Sequence, residues 1–423
     1  MRSPRDHGSA RVGPLAASSH SAPLLDVDAL LDDPHRRIIV CCGAGGVGKT
    51  TTSAALALRA AERGRKAVVL TIDPARRLAQ SMGIGKLDNT PRPVPGVEGP
   101  GSLDHEDDPD MEGTGAEPGD CRARGSLDAM MLDMKRTFDE VVESQASPEK
   151  ARQILNNPFY IAVSSSFAGT QEYMAMEKLG QLDKDARRTG RWDLIVVDTP
   201  PSRNALDFLD APERLSSFLD GRFMRLLTAP ARGPARMMTA GFGMVTNTLT
   251  KVIGAQVLRD MQAFVAAFDT LFGGFRQRAQ KTFELLQAQG TAFLVVASPE
   301  QDALREAAYF VERLRAEDMP LAGVVVNRAS SDPGPELSES AALAGAERMR
   351  DADGSGSADR ALAAGLLELH ADRKLVVARE RRLRERFATS HPDVPAAVLP
   401  ALPTDVHDLT GLRRVGDLLA GRA

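Results

Sequence analysis

Residues 38–51 read Ile-Ile-Val-Cys-Cys-Gly-Ala-Gly-Gly-Val-Gly-Lys-Thr-Thr, an apolar run followed by a glycine-rich loop. A strand, such a loop and a helix in this order form the Walker A pattern. Glycines let successive backbone N–H groups turn towards anionic oxygens, because no Cβ stands in the way. The helix predicted over Thr52–Arg63 adds the positive end of its dipole. The pattern predicts a phosphate-binding loop made of Gly43, Ala44, Gly45, Gly46, Val47, Gly48, Lys49, Thr50 and Thr51.

Two side chains of this loop have specific expected roles. Lys49 should reach the β- and γ-phosphates of a bound nucleotide, which makes it a candidate catalytic residue as well as a binding residue. Thr50 should bind Mg²⁺ through its hydroxyl. An accidental glycine-rich turn is the alternative interpretation, and the flanking strand and helix argue against it.

The bulk composition narrows the class of protein. The chain has 423 residues, of which 43% are hydrophobic, and a formal net charge of −4. This balance does not favour a nucleic-acid partner. Cys41, Cys42 and Cys121 form no Cys-x-x-Cys pair, so we expect no disulfide framework and a cytoplasmic protein, either free or peripheral at the membrane. Residues 1–34 lack the apolar core of a signal peptide, and no apolar stretch approaches the ~18 residues of a membrane-spanning helix.

Short apolar runs recur along the chain, separated by segments of helical period. Their residues are continuous rather than alternating, which is typical of parallel strands buried on both faces. We therefore predict an α/β fold, with a doubly wound and mostly parallel sheet of about seven strands. The runs are Ile38–Cys42, Val68–Ile72, Met130–Leu132, Leu194–Val197, Phe293–Ala297, Val324–Val326 and Ala396–Leu399.

The remaining segments suggest how the chain is organised. Residues 1–22 are interpreted as a disordered tail, and residues 23–423 as a single nucleotide-binding domain. Residues 88–126, rich in Pro, Gly and acidic side chains, are predicted to be a disordered insertion. Residues 204–289 are predicted to form a helical subdomain, and residues 330–358 a flexible connector.

Two aspartates follow predicted strands and are candidates for the chemistry. Asp73 ends the second strand and is predicted to orient or deprotonate an attacking water, although a helix cap is the alternative role. Asp198 ends the run Leu194–Val197 in the manner of a Walker B strand and is predicted to reach Mg²⁺ through a water.

Together these residues resemble the ArsA family, which includes arsenite-pump ATPases and the ATPases that target tail-anchored membrane proteins. The resemblance covers about residues 24–423 apart from the low-complexity inserts. The specific motifs are Gly43–Thr51, Asp73-Pro74-Ala75 and Asp198-Thr199-Pro200. Weaker ones are Gly169–Glu172, Val326-Asn327-Arg328 and Leu402–Asp405. By resemblance, Asn327 reads adenine, and the loop around Pro403 closes over the base.

The resemblance implies an ATP- and Mg²⁺-dependent dimer, either a homodimer or a heterodimer with a paralogous ATPase. ATP would close the dimer, and hydrolysis would open it and reset a hydrophobic surface for a client or membrane partner. A nucleotide-gated scaffold with weak hydrolysis, or the energising subunit of an anion exporter, are alternatives. A DNA- or membrane-positioning ATPase is disfavoured by the acidic balance and the large helical insertion.

Two departures from the family pattern affect these expectations. Ala44 stands where the family usually has a signature lysine that reaches across the dimer, so a cation would have to come from Arg76, Arg77 or a partner. The cysteines do not match a thiolate metal site, since Cys41 and Cys42 end a strand where small core residues are normal.

The segment Phe218–Lys251 mixes methionine and phenylalanine with arginine. Such a stretch can hold an amphipathic client helix or lie on a membrane. The alternative interpretation is a helical layer that covers the sheet, with methionine as filler.

Overall fold

The computed structural model of the chain describes residues 22–72, 77–97, 125–158, 160–161, 170–200, 274, 277–351 and 357–422. Several expectations therefore fall outside the described residues. They concern the tail before residue 22, Asp73, Arg76, Cys121, and most of the helical subdomain with its Phe218–Lys251 segment.

The centre of the fold is an eight-stranded sheet with the order β3-β4-β2-β5-β1-β6-β7-β8. Every neighbouring pair is parallel except β3 and β4. The predicted α/β class and the seven predicted strands are confirmed, and β3 is the strand that sequence patterns missed. The strands are β1 (Ile38–Cys42), β2 (Lys66–Thr71), β3 (Arg92–Pro93), β4 (Ser126–Met131), β5 (Leu194–Asp198), β6 (Thr291–Ala297), β7 (Leu321–Ala329) and β8 (Ala396–Pro400).

Helices cover both faces of this sheet, because successive residues of each strand point to opposite sides and both sides are apolar. Ile38 and Val40 belong to one core, while Ile39 and Cys41 belong to the other. The helices are α1 (Val27–Asp32), α2 (Lys49–Glu62), α3 (Arg77–Ser81), α4 (Met134–Gln145), α5 (Pro148–Leu155), α6 (Thr170–Thr189), α7 (277–287), α8 (Gln301–Ala316), α9 (Glu339–Asp351), α10 (Ser357–Ser390) and α11 (Leu409–Leu419).

The expectation of disorder over residues 88–126 is wrong for residues 88–97. Arg92 pairs with Ala129 at the edge of the sheet, and the amide of Val94 donates to the carbonyl of Leu127 over 2.9 Å. Val94 is fully buried. An edge strand can contain proline because only one of its sides must pair. The burial of Val94 stabilises this edge although its surroundings in the sequence are polar. Residues 98–124 lie outside the described part of the chain.

The prediction of a flexible connector over residues 330–358 is also wrong for most of this segment. Residues 339–351 form α9, and α10 begins at Ser357. Ala342 and Ala346 are buried, and α9 packs along α10. The Gly, Ser, Ala and Asp content suggested a connector. Alanine, however, has the highest helix propensity, and packing against α10 provides the burial.

No helix among the described residues is long and apolar enough to cross a membrane. Within the predicted helical subdomain, the structure describes the helix α7 and residue 274. The subdomain as a whole therefore stays a prediction.

Candidate nucleotide site

The glycine-rich loop joins β1 to α2 at the carboxyl edge of the sheet, where parallel α/β sheets place their ligands. Gly43 has a φ of 144°, and a Cβ there would lie 2.0 Å from the carbonyl oxygen of Val296 on β6. Gly48 has a φ of 97°, and a Cβ there would lie 2.2 Å from Nδ2 of Asn327. Side chains would therefore clash at both positions, so the bare backbone of the loop depends on glycine.

Lys49 lies inside this loop and is 6% exposed. Its Nζ donates hydrogen bonds to the carbonyls of Gly43, at 2.9 Å, and Ala44, at 2.8 Å. The ammonium group is thus held at the concave side of the loop, close to where the Walker A pattern predicts phosphate oxygens.

Thr50 and Asp198 are brought together from positions 148 residues apart. The hydroxyl of Thr50 donates to Oδ2 of Asp198 over 2.7 Å, and the hydroxyl of Thr71 donates to the same oxygen over 2.9 Å. Asp198 is fully buried. A hydroxyl and a carboxylate at a phosphate loop are oxygen donors of the kind that Mg²⁺ prefers. The two predicted metal residues therefore fit a magnesium site, and Thr71 is a neighbour that sequence patterns missed.

The strands on either side of β5 explain this meeting. β5 lies between β2 and β1, so the residues that follow β2 emerge beside Asp198. The amide of Ile72 donates to the carbonyl of Asp198 over 3.0 Å. Thr199, the next residue after β5, donates from both its amide and its hydroxyl to the carbonyl of Cys41. Asp73 itself lies outside the described residues, and its catalytic role stays a prediction.

A cavity of about 560 Å³ lies beside the loop. It is lined by Gly48 and Thr51 from the start of α2, by Asn327 at the end of β7, and by Leu402 and Thr404 after β8. Pro403 lies between these last two lining residues and is exposed. The structure therefore places the predicted adenine residue and the predicted closing loop at one cavity.

Asn327 is fixed to the loop. Its Nδ2 donates to the carbonyl of Val47 over 2.9 Å, and its Oδ1 accepts the amide of Arg328 over 2.9 Å. An amide has two N–H donors and an oxygen with two lone pairs, so each of its two groups has capacity beyond these bonds. This side chain can therefore both donate to and accept from a planar base.

Arg328 is a site residue for which sequence patterns carried no signal beyond its place after Asn327. Its φ is 61°, which lies in the left-handed region. This conformation costs a residue with a Cβ about 1–3 kcal/mol, and residues that adopt it cluster at functional sites. Its Nη1 donates to the carbonyl of Gly46 over 2.9 Å. The guanidinium therefore lies on the outer side of the phosphate loop.

Ala44 lies on that same side and is 8% exposed. A second cavity, of about 340 Å³, is lined there by the loop residues Ala44, Gly45 and Gly46, and by side chains that include Glu300 and Glu380. Arg328 lines both cavities. The position of the missing signature lysine thus faces a pocket rich in carboxylates.

The two cysteines of β1 are buried core residues, as the sequence predicted. Burial raises the pKa of the Cys41 thiol to about 12 and also raises the pKa of the Cys42 thiol. In the described part of the chain, no group of three or more His, Cys, Asp and Glu residues could hold a metal ion.

The parallel sheet, the loop and the paired strand-end residues define a P-loop nucleotide-binding protein. Comparison with known proteins gives the family: the model of the anion-transporting ATPase family, ArsA, matches residues 36–341. The chain belongs to this family of ATPases, and the resemblance found in its motifs is confirmed.

Individual relatives are distant. The chain is 27% identical to ATPase ARSA1 of Chlamydomonas reinhardtii over 305 residues, covering 69% of this chain and 35% of the relative. It is 24% identical to ATPase get3 of Schizosaccharomyces japonicus over 310 residues, covering 73% of this chain and 79% of the relative. It is 31% identical to the arsenical pump-driving ATPase of Acidiphilium multivorum over 180 residues, covering 42% of this chain and 26% of the relative. The matched region thus spans about a third of the algal relative's length and about a quarter of the pump ATPase's.

Proposed function

We propose that this chain is a Mg²⁺-dependent ATPase that works as a dimeric switch. ATP binding closes two subunits, and hydrolysis to ADP and phosphate opens them. The observation that carries the proposal is the hydrogen bond between Thr50 and Asp198, formed beside Lys49 and at the same sheet edge as the base cavity. It joins the two groups from which a P-loop protein builds its magnesium site.

The roles of the chain's residues follow from their positions. Backbone amides of the loop and the N-terminus of α2 bind the phosphates. Lys49 exchanges its bonds to the carbonyls of Gly43 and Ala44 for contacts to phosphate oxygens. Thr50 and Asp198 would hold Mg²⁺, which would supply charge neutralisation at the phosphate oxygens. Asp73 orients the attacking water, and the contact of Ile72 with Asp198 supports this by bringing the chain to the site.

Adenine is the base that Asn327 suits. An asparagine amide can donate to and accept from one edge of adenine, which presents an amino donor next to a ring-nitrogen acceptor. The bonds to Val47 and from Arg328 fix the plane of this amide at the wall of the base cavity. This amide therefore supports adenine recognition, and hence ATP as the substrate.

A second candidate function is a scaffold that binds ATP and hydrolyses it poorly. Ala44 favours it, because a methyl group cannot deliver the charge that the family's signature lysine supplies. The carboxylates opposite Ala44 would also attract a cation from a partner subunit, which is consistent with a heterodimer.

The client is a separate proposal. A hydrophobic segment or a membrane partner is favoured by the composition of Phe218–Lys251, which lies outside the described residues. Driving an anion exporter is the alternative, as the name of the Acidiphilium multivorum relative indicates for that protein. The buried Cys41 and Cys42 argue against a thiophilic anion bound at those thiols.

The test of the enzyme is ATP turnover by the purified chain, alone and mixed with a paralogous ATPase. We expect Mg²⁺-dependent turnover that Asp73→Asn lowers by at least about 100-fold with ATP binding retained. Asp88→Asn, an aspartate outside the site, is the matched control. If no mixture hydrolyses ATP but ATP still binds, the enzyme proposal is wrong and the scaffold function remains. An Asp73→Asn variant as fast as wild type would remove the water-orienting role.

The test of the client surface is the double change Met237→Glu and Met238→Glu. We expect weaker association with a hydrophobic peptide or with lipid vesicles at unchanged ATP turnover. Unchanged association by a folded variant would refute the client assignment.

A further inference from the structure

Two consecutive side chains at the end of β7 hydrogen-bond to two consecutive carbonyls of the phosphate loop. Nδ2 of Asn327 donates to the carbonyl of Val47 over 2.9 Å. Nη1 of Arg328 donates to the carbonyl of Gly46, also over 2.9 Å. The end of β7 therefore holds the loop through a pair of side chains, of which Asn327 is only one.

An irregularity of the sheet presents this pair. Val326 pairs with Val398, and the next paired position joins Ala329 to Pro400. Two residues of β7 thus lie opposite one residue of β8, which is the arrangement of a β-bulge. A bulge turns side chains out of the regular alternation of a strand, and bulges are common next to active sites. The bulge is therefore what directs both side chains to the loop.

The backbone of Arg328 is held in a costly conformation. Glycine and asparagine adopt the left-handed region, where its φ of 61° lies, at lower cost than arginine does. The chain just beyond it is fixed to α10, since Glu380 accepts the amide of Ser330 at 2.7 Å and its hydroxyl at 2.8 Å. Strain that the surrounding structure maintains is typical of functional sites. An arginine here indicates that the site uses the side chain and not only the turn.

The two hydrogen bonds also fix the direction of two loop amides. In a planar trans peptide, the C=O and the N–H point in opposite directions. The peptide that presents the Gly46 carbonyl to Arg328 therefore directs the N–H of Val47 away from that side chain. In the same way, the peptide that presents the Val47 carbonyl to Asn327 directs the N–H of Gly48 away. The N–H groups of a P-loop are the groups that bind phosphate oxygens.

A direct contact between Arg328 and a phosphate is the alternative role. The hydrogen bond places Nη1 on the carbonyl side of the peptide between Gly46 and Val47. The phosphates use the N–H side of the loop's peptides. Arg328 therefore acts on the nucleotide through the backbone of the loop.

We propose that Arg328 is a positioning residue for nucleotide binding. By holding the carbonyl of Gly46, it orients the amide of Val47 for the α- and β-phosphates, and Asn327 orients the amide of Gly48. The bulge thus joins recognition of the base to binding of the phosphates. The inference rests on the proposed function, because it takes ATP as the ligand of this loop.

The experiment compares loss of the side chain with its conservative replacement. Arg328→Gly removes the guanidinium and relieves the left-handed backbone, whereas Arg328→Lys keeps a cationic donor. Asp318→Gly is the matched control, because Asp318 has a φ of 54° and precedes β7, at the end of the strand remote from the loop. Titration calorimetry gives the dissociation constants of Mg²⁺-ATP and Mg²⁺-ADP. Steady-state kinetics gives kcat and KM, and urea unfolding gives the stability of each variant.

We expect Arg328→Gly to raise both dissociation constants by about tenfold, because a hydrogen bond from a charged donor is lost. ATP and ADP should lose affinity alike, since they share the α- and β-phosphates, and the loss should fall on KM more than on kcat. The urea midpoint should not fall, because the relieved strain offsets the lost hydrogen bond. Arg328→Lys should bind within about threefold of wild type, since one donor suffices for one carbonyl. Asp318→Gly should bind as wild type does.

The other outcomes separate this inference from the proposed function. Unchanged affinity in Arg328→Gly, with ATP bound by wild type, would overturn the role of Arg328 and keep the ATPase. A lower urea midpoint with equal losses in kcat and affinity would show a purely structural role. Weaker binding of ATP alone would place the guanidinium at the γ-phosphate and overturn the orienting role. A wild type that binds neither nucleotide would overturn the proposed function together with this inference.

Discussion

The hydroxyl of Thr50 lies 2.7 Å from Oδ2 of Asp198, and this hydrogen bond ties the first turn of the phosphate-loop helix to the end of a neighbouring strand. A second hydroxyl, from Thr71, reaches the same oxygen at 2.9 Å. Two adjacent strand ends and the first turn of α2 thus meet at one buried carboxylate. The fold itself therefore holds these three oxygen-bearing side chains together.

Thr50→Val should remove the hydroxyl and keep the shape of the side chain. We expect ATP turnover to fall by at least about 100-fold, because a metal-binding oxygen is lost. The free energy of unfolding should fall by about 1–3 kcal/mol, because the buried carboxylate of Asp198 loses one of its hydrogen-bond donors. Thr50→Ser keeps the hydroxyl and should retain turnover. Equal turnover by the valine and serine variants would contradict the metal-binding role of Thr50.

Gly48→Ala should damage both stability and nucleotide binding. Its φ of 97° is strained for alanine, and the new Cβ would displace the amide of Asn327. We expect the free energy of unfolding to fall by about 1–3 kcal/mol and the affinity for ATP to fall as well. Gly46→Ala is the control, since its φ is 76° but a Cβ there meets nothing within 4 Å. The difference between the two variants in denaturant unfolding and ATP titration isolates the clash with Asn327.

If Gly48→Ala bound ATP as tightly as Gly46→Ala does, the position of Asn327 would not matter for binding. The adenine role proposed for Asn327 would then be wrong.

Asp28→Asn should make the free energy of unfolding less dependent on pH in the acid range. The hydrogen bond from Arg59 lowers the pKa of Asp28 from its usual value of 3.8, against an opposing effect of burial. A lowered pKa means that the ionised form favours folding. This stabilisation is complete above about pH 4 and is lost as the pH falls through the folded-state pKa. Urea unfolding should show wild type more stable than Asp28→Asn at pH 7, with a gap that narrows below about pH 4. A gap of constant size would exclude this linkage.

Cys41 and Cys42 should resist alkylation in the folded protein. Both are fully buried, and burial raises the pKa of the Cys41 thiol to about 12, so almost no thiolate exists at pH 8. Mass spectrometry of a Cys121→Ser variant should show modification by iodoacetamide only after denaturation. Rapid labelling of the folded chain would show that β1 opens, and would restore the thiol-based anion site as a candidate.

Much of the fold could be predicted because the strands differ from the rest of the chain in local composition. The runs from Ile38 to Cys42 and from Leu194 to Val197 are continuously apolar. Such runs are typical of parallel strands that are buried on both faces. The edge strand at Arg92–Pro93 had no such signal, because it is two residues long and is defined by its partner β4. Similarly, α9 packs along α10, a contact that its own composition did not reveal.

By itself, the sequence determined the phosphate loop, Lys49, Thr50 and the strand that ends in Asp198, because each is encoded by residues adjacent in the chain. Only the tertiary structure decided that Thr71 shares the carboxylate of Asp198, and that Arg328 contacts Gly46 across 282 positions. Only the tertiary structure, too, left Leu362, Leu366 and Leu369 of α10 largely exposed. The physical reason is that strand order and helix packing set which distant side chains meet, and these depend on the burial of the whole core rather than on local pattern.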